Sequence, residues 1–391
     1  MLPERLCTDL TSLNQDEDRL AVVVEMAFSE DGVLLESSIY RARVRNKAQL
    51  AYDAVSAWMV GEGDLPEPAR RVKGMQIQLR LQDELAQKLR VLRRAEGSLE
   101  FETFQPKALF DGDRITDIQQ QPHNRARQLI EEFMIATNGC TARFLADKGM
   151  ASLRRVVRSP ERWQRIVEVA HQYGTSLPRQ PDGKALEAFL AQQHRADPLR
   201  FPDLSLVIVK LMGSGEYVVE RPQAPAIGHF GLAVQDYMHS TAPNRRFPDL
   251  ITQRLLKAAL ADAPPAYTDE ELGELASHCT TQEDAAQKVE RQMRKSEAAL
   301  LLESRIGERF DAIVTGNADV PYPPGTNDLH HEVELVVALG ADAPAGELSR
   351  DAAQALAWGL ASRRCPPAPA PVAAPASPPP PPPPDFFDSS F

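Results

Sequence analysis

The chain has 391 residues, of which 43% are hydrophobic and 25% charged, and its 44 Lys and Arg against 55 Asp and Glu give a formal net charge of −11. This composition predicts a globular protein of about two or three domains and excludes collagen, a coiled coil and a wholly disordered chain. No stretch approaches the roughly 18 to 20 apolar residues of a membrane span, and the first residues lack the order of a signal peptide, so we expect a cytoplasmic protein without a membrane partner. The four cysteines are widely spaced and indicate neither a disulfide framework nor a thiolate zinc site.

A β-hairpin is predicted first, with an apolar strand at residues 20–28, a turn at Asp31-Gly32 and a second strand at residues 39–44. Arg41, Arg43 and Arg45 alternate along the second strand and therefore share one face. This cationic face is either a solvated outer surface or a surface for nucleic acid. The acidic total charge leaves room for such a local basic region.

Helical periodicity dominates the middle of the chain. The pattern predicts helices at residues 52–59, 72–89, 124–146, 186–193 and 203–212, and another that begins at Ser159-Pro160-Glu161 and ends at Gly174. Strand character is expected again at residues 99–104 and 108–118, with a second hairpin turn at Asp111-Gly112, and further strands are expected at 217–219 and 229–234.

The last elements that the sequence predicts are helices followed by one strand. Thr268 to Glu271 reads as a capping box, Thr281 is expected to start a long helix that runs to about Arg305, and residues 310–316 are expected to form a strand. After residue 364 the chain is a proline-rich tail of polyproline II character.

The segment 229–253 carries the chemistry. Pro243 is expected to open a helix whose first turn holds Arg245 and Arg246, and backbone N–H groups together with two guanidinium groups would form a site for a phosphodiester. The alternative is a surface ion pair of one of these arginines with Asp249.

These residues resemble the signature of the ribonuclease II / ribonuclease R family. The pattern matches at residues 229–232, Tyr237, 241–243, 245–247, Asp249 and Gln253, and departs at Met238, Ser240 and Asn244. The resemblance extends over residues 1–316 and includes 2–7, 12–13, 48–53, 130–138 and 289–291. It implies an α+β fold in which residues 1–316 form part of an RNB catalytic domain with a mixed sheet and several helices. A truncated start of an OB-type domain, a degenerate and unassigned region at 317–364 and a disordered proline-rich tail at 365–391 are expected to follow.

The resemblance also implies an activity. Members hydrolyse single-stranded RNA processively from 3′ to 5′ with Mg²⁺ and release nucleoside 5′-monophosphates. It assigns Arg245 to the phosphate near the scissile bond, and Tyr52, Glu131, Glu132 and Glu290 to the RNA end. Arg246, Arg41, Arg43 and Arg45 complete the expected RNA-binding set. On their own pattern, Tyr52 would be a core residue and the three glutamates solvated helix positions.

The family's cluster of Mg²⁺-binding aspartates is not found in this sequence. We therefore assign no metal ligand and expect the isolated chain to be inactive, with a second chain supplying the aspartate motif. The alternatives are a non-catalytic single-stranded RNA-binding remnant, for which RNA affinity would depend steeply on salt, and an inactive gene fragment.

Overall fold

The computed structural model describes residues 3–101, 106–112, 114–120 and 124–303, all of which belong to one unit spanning Met1–Glu308. This part of the chain is a mixed α/β structure of about ten helices and three two-stranded antiparallel sheets. The strands are β1 (Asp18–Phe28), β2 (Leu34–Arg45), β3 (Pro106–Asp111), β4 (Arg114–Gln120), β5 (Ser152–Val156) and β6 (Glu216–Glu220). The helices are α1 (Tyr52–Val60), α2 (Glu67–Arg70), α3 (Met75–Ala95), α4 (Arg125–Asp147), α5 (Trp163–Gln172), α6 (Gly183–Ala196), α7 (Phe201–Met212), α8 (Phe247–Ala259) and α9 (Asp269–Glu303).

The first hairpin is confirmed. β1 and β2 pair antiparallel with Val22 opposite Arg41, and Gly32 closes the turn at φ +85°, a left-handed conformation that glycine adopts without strain. Arg41, Arg43 and Arg45 all lie on the exposed face of β2. The alternation in the sequence therefore places these three cations as expected.

Helix α4 connects two of the three hydrophobic cores. It begins at the N-cap Asn124, whose side chain accepts a hydrogen bond from Arg127 N, and its 23 residues span about 34 Å. Its first turns pack with α1 and α3 through Ala126 and Leu129, whereas Ala142 and Leu145 pack with α8, β5 and the start of α9. A third core joins α5, α6 and α7. Because it belongs to two cores, α4 fixes the positions of the elements around it.

Helix α8 begins later than the sequence suggests. Residues 243–246 form a turn in which the Arg245 and Arg246 N–H groups donate to the Ala242 carbonyl, and α8 begins only at Phe247 with Pro248 in its first turn. Either proline is compatible with the first turn of a helix. The position of α8 is set by Asp249 in its first turn, which is buried. The Asp249 carboxylate accepts a hydrogen bond from Ala242 N and so holds the preceding loop outside the helix. The expectation that both arginines lie inside a helix is therefore wrong.

Three other expected boundaries are also wrong. Helix α5 begins at Trp163, because burial of Trp163, Ile166 and Ala170 against α6 and α7 sets its start rather than Pro160. The segment expected as a strand at 229–234 is a 3-10 turn closed by the His229 N–H on the Val234 carbonyl at 2.7 Å.

Thr281 does not start a helix, because α9 runs unbroken from Asp269 and the Thr281 hydroxyl donates to the Ser277 carbonyl within it. The capping box at Thr268 and Glu271 is confirmed by both of its reciprocal hydrogen bonds. The strand expected at 310–316, the region 317–364 and the proline-rich tail lie outside the described residues, as do residues 102–105 of the second hairpin.

Gly97 lies directly against the backbone at the start of α6. It has φ +97°, and a Cβ built there would lie 2.8 Å from Lys184 N at the start of α6. Its neighbour Leu99 donates to the Gly231 carbonyl, so this crossing holds the 3-10 turn against the end of α3.

We predict that Gly97→Ala destabilises the fold more than Gly61→Ala. Both glycines have a positive φ, but a Cβ at Gly61 meets nothing within 4 Å. The two variants share the cost of a left-handed alanine, about 1–2 kcal/mol, and Gly97→Ala adds an overpacking cost of about 1–3 kcal/mol. Urea unfolding of both variants measures the difference, and equal unfolding free energies would contradict the close approach.

Candidate active site

A buried amide on α4 holds the loop that carries Arg245. The Asn138 side chain is fully buried, and its Oδ1 accepts hydrogen bonds from Ser240 N at 3.0 Å and Ser240 Oγ at 2.8 Å. Gln253 on α8 donates from Nε2 to the Ser240 carbonyl at 2.8 Å. The N–H, hydroxyl and carbonyl groups of Ser240 are thus all hydrogen-bonded, to side chains of two different helices.

A buried carboxylate holds the next part of the same loop. Asp249 is fully buried, and its Oδ1 accepts from Ala242 N at 2.8 Å and from the Arg246 guanidinium at 2.7 Å. The ion-pair alternative is therefore confirmed for Arg246. A paired, partly buried guanidinium of this kind is a structural element of the loop as well as a positive charge.

Arg245 differs from its neighbour. Its side chain is exposed and forms no hydrogen bond or ion pair with any other described residue. The backbone beside it is anchored, because Arg245 N donates to the Ala242 carbonyl at 3.2 Å and Cys7 Sγ donates to the Asn244 carbonyl at 3.2 Å. The loop thus presents one unpaired guanidinium group from a rigid base.

A cluster of four rings lies behind this loop. Tyr217 Oη and His239 Nδ1 are hydrogen-bonded at 2.8 Å, and the Tyr237 ring packs edge-on against His229 and His239 with centroids 5.4 and 5.7 Å apart. The Arg155 guanidinium lies 4.9 Å from the Tyr217 ring centroid.

Burial controls the charge of the two histidines. Desolvation, reinforced by the nearby Arg246 and Arg155, lowers the pKa of His239 to about 3. Desolvation and the charge of Arg155 likewise lower the pKa of His229 to about 4. Both imidazoles are neutral at pH 7, so the positive charge available to an anion here comes from arginine.

The residues expected at the RNA end occupy different environments. Tyr52 is the first residue of α1 and is 46% exposed, so it is not a core residue; the Arg127 guanidinium lies 5.8 Å from its ring centroid. Glu132 is only 4% exposed and forms an ion pair with Arg93 on α3. The alternative of a solvated position is therefore wrong for Glu132. Glu131 is exposed; burial raises the pKa of Tyr237, and the charge of Glu131 adds to that rise.

The remaining predicted residues lie on other elements. Arg41 donates to the Lys257 carbonyl of α8 at 2.7 Å, and Arg45 hydrogen-bonds to Asp18 at 2.7 Å and lowers the pKa of that carboxyl. Glu290 is on the exposed part of α9 and pairs with Arg294 one turn later. The structure thus places Arg245 and Arg246 side by side in the loop that follows His239, and the other predicted residues on α1, α4, α9 and β2. The roles of all these residues in RNA binding and catalysis stay predictions.

The described residues do not fit a Mg²⁺ ion. Across this part of the chain no group of three or more His, Cys, Asp and Glu side chains is arranged to hold a metal. The carboxylate nearest to Arg245 in the loop, Asp249, is already paired with Arg246. A hard cation needs several oxygen ligands that are not neutralised in this way.

Sequence reasoning missed the role of Asn138. The available signal was an amide in the middle of a helix, a position that Asn does not favour unless its side chain has a specific partner.

None of the helices described here is long and apolar enough to cross a bilayer.

Comparison with known proteins points to one family. The RNB domain matches residues 1–262. The chain is similar to ribonuclease R of Aquifex aeolicus, with 32% identity over 327 residues that cover 81% of this chain and 44% of the relative. Ribonuclease R of Escherichia coli is 31% identical over 335 residues, which cover 81% of this chain and 40% of the relative. The chain thus spans less than half the length of these relatives.

A solved structure has the same fold. Mycoplasma genitalium RNase R in complex with ribose-methylated single-stranded RNA superposes with a TM-score of 0.72 and 24% identity, over 81% of this chain and 50% of that one. At this identity the similarity concerns the fold alone.

We predict that Asn138→Leu destabilises the protein more than Ser240→Ala. The leucine has no acceptor for the Ser240 backbone N–H, which stays buried without a partner at a cost of about 1–3 kcal/mol. Ser240→Ala removes only the hydroxyl donor and keeps the amide hydrogen bond. Urea unfolding of the two variants checks this order, and a reversed order would show that the amide is not held by Asn138.

We predict a loss of stability as the pH falls from 6.5 towards 4. The folded-state pKa values of His229 and His239, about 4 and about 3, lie below the ordinary value of 6.5. In that window the unfolded chain binds protons that the native state excludes, so the unfolding free energy falls as pH falls.

Urea unfolding at pH 7, 6, 5 and 4 measures this effect. His239→Asn keeps an acceptor near Tyr217 and should reduce the slope by up to about 1.4 kcal/mol per pH unit. The control His171→Gln changes an exposed histidine of α5 and should keep the wild-type slope. Equal slopes for wild type and His239→Asn would contradict the assignment.

Proposed function

Because the chain belongs to the RNB domain family, we propose that it takes part in the hydrolysis of single-stranded RNA from 3′ to 5′, with release of nucleoside 5′-monophosphates. The observation that carries this proposal is the match of the RNB domain to residues 1–262, which include the whole Arg245 loop. The ribonuclease R relatives support the same substrate class.

Arg245 is the proposed catalytic residue of the described region. Its exposed guanidinium offers a planar set of N–H donors that matches two phosphate oxygens. The loop beneath it is held by Asn138 and Asp249, so little reorganisation is needed when a phosphate binds. A donor held in this way stabilises the negative charge that develops on the phosphate in the transition state.

Arg246 has a different role in this proposal. Its pairing with Asp249 fixes the loop geometry, and its remaining charge adds to the positive potential at the phosphate. The neutral His229 and His239 form the packed base behind the loop and do not contribute charge at pH 7.

The RNA end is held by groups around α1 and α4. We assign stacking on a base to the exposed ring of Tyr52, since aromatic faces bind bases without sequence preference. Glu131 is the candidate acceptor for ribose hydroxyls, whereas the buried Glu132 acts through its ion pair with Arg93. Glu290 of α9 is also assigned to the RNA end, and Arg41, Arg43 and Arg45 are assigned to contacts farther along the RNA.

Hydrolysis in this family is expected to need Mg²⁺, and the described residues do not supply its ligands. We therefore derive no step through a metal ion in this part of the chain. The carboxylates that would hold the ion lie, in this proposal, outside the described residues, and a second chain that carries an aspartate motif is one source of them.

We predict that Arg245→Ala lowers RNA turnover by about 10²–10³-fold, the cost of removing one donor to a developing oxyanion. The assay follows the shortening of 5′-labelled single-stranded RNA in the presence of Mg²⁺, by the chain alone and by the chain reconstituted with a second chain that carries the aspartate motif. The control Arg179→Ala removes an exposed arginine from the loop before α6 and should leave turnover unchanged.

The same assay separates the alternatives. Turnover that is equal in wild type and Arg245→Ala would overturn the role of Arg245. RNA binding without turnover by the wild-type chain, both alone and reconstituted with a second chain that carries the aspartate motif, would instead support the non-catalytic RNA-binding alternative. Neither binding nor turnover would support the inactive fragment.

A further inference from the structure

A second basic site lies at the end of β2. Here the N-terminal segment, the residues after β2 and the region of α2 enclose an open cleft of about 530 Å³, which we call the Lys47 cleft. Its lining comprises Gln15, Asp16, Lys47, Pro68, Arg71, Val72 and Lys73. None of these residues belongs to the Arg245 loop.

Hydrogen bonds build one wall of the Lys47 cleft. Asp16 N donates to the Asn46 carbonyl at 2.8 Å, and Asn46 Nδ2 donates to the Leu13 carbonyl at 3.0 Å. Gln49 N donates to Gln15 Oε1 at 3.0 Å. Asp16 is held at φ +60°, a left-handed conformation that aspartate adopts more readily than most residues. The wall therefore has a fixed shape.

The charges of the cleft favour an anion. The lining of the cleft contains three cations, Lys47, Arg71 and Lys73, and one carboxylate, Asp16, in a chain whose total charge is −11. Neither lysine forms an ion pair or hydrogen bond with another residue in the described ranges. Arg71 pairs only with the exposed Glu67 at 3.2 Å, and exposed pairs of this kind are weak.

The cleft also has an apolar part. Pro68 and Val72 are partly buried and line the cleft together with the cationic side chains. A ligand that fits this lining combines an anionic group with a flat or apolar one, as small-ligand sites commonly do. A nucleotide unit has this chemistry, whereas an acidic peptide has no counterpart for the apolar floor.

The cleft continues the cationic face of β2. Arg41, Arg43, Arg45 and Lys47 alternate along the chain, and all four are exposed. The N-terminal segment also connects the two sites, since Cys7 contacts Asn244 of the Arg245 loop and Gln15 lines the cleft. The eight residue steps between Cys7 and Gln15 limit the separation of these two points to about 29 Å.

We propose that the Lys47 cleft binds one nucleotide of a single-stranded RNA chain, with its phosphate on Lys47, Lys73 and Arg71 and its base on Pro68 and Val72. The identification of the ligand as RNA rests on the proposed function. The site itself is separate from the Arg245 loop and adds a second point of attachment to the RNA backbone.

The test is the salt dependence of RNA binding by the full chain. Fluorescence anisotropy with 5′-labelled oligouridylate, in EDTA to prevent turnover, gives the slope of log affinity against log salt concentration. Neutralising two phosphate contacts in Lys47→Gln/Lys73→Gln should reduce the magnitude of this slope by about 1.4, since each contact to a single strand contributes about 0.7. Lys210→Gln removes an exposed lysine of α7 and should leave the slope unchanged.

The outcomes separate this inference from the proposed function. A slope that the double variant does not change would overturn the inference, even if turnover depends on Arg245. A reduced slope supports it, even if the chain shows no turnover. Unlabelled oligouridylate and polyglutamate are compared as competitors of the labelled RNA. Equal competition per charge would show a general anion surface and would overturn the assignment to a nucleotide.

Discussion

The hydrogen bonds between Asn138 and Ser240 are the contact on which the site depends. A buried donor is costly unless it is satisfied, and the single Oδ1 of Asn138 accepts from both the backbone N–H and the hydroxyl of Ser240. Asn138 belongs to α4, which packs into two hydrophobic cores. The hydrogen bonds to Ser240 therefore hold the Arg245 loop in a fixed position relative to both cores. The exposed Arg245 gains a defined position through contacts that it does not make itself.

The two adjacent arginines of the loop therefore have different environments, since Arg246 is paired and Arg245 is exposed. Arg246 is held by a fully buried carboxylate, and a carboxylate in such a place requires a compensating charge and hydrogen bonds. Asp249 receives both, from Arg246 and from the Ala242 amide. This leaves Arg245 as the arginine of the pair whose donors can turn to a ligand. The neutral histidines behind the loop matter for the same reason, since a second and third cation there would repel Arg246.

Local patterns in the sequence predicted the elements whose causes are local. The β1–β2 hairpin follows from alternation and Asp31-Gly32, and the start of α9 follows from the reciprocal hydrogen bonds of Thr268 and Glu271. The start of α8 has a tertiary cause, the burial of Asp249, and could not be read from two prolines that are equally suited to a first turn. Glu131 is exposed whereas Glu132 is buried in an ion pair, and this difference also depends on tertiary structure. Arg93, the partner of Glu132, lies on another helix.

The distribution of charge gives the described region a consistent role in the proposed reaction. Its buried carboxylates are committed to arginines, as in the pairs of Glu132 with Arg93 and Asp249 with Arg246, and so are not available to a hard cation. Arg245, Lys47 and Lys73 are among its unpaired cations and are exposed, where phosphate can reach them. In the proposed function, this arrangement binds and orients an RNA backbone. Cleavage of the phosphodiester would then require carboxylates outside the described residues, placed against the phosphate that the proposal assigns to Arg245.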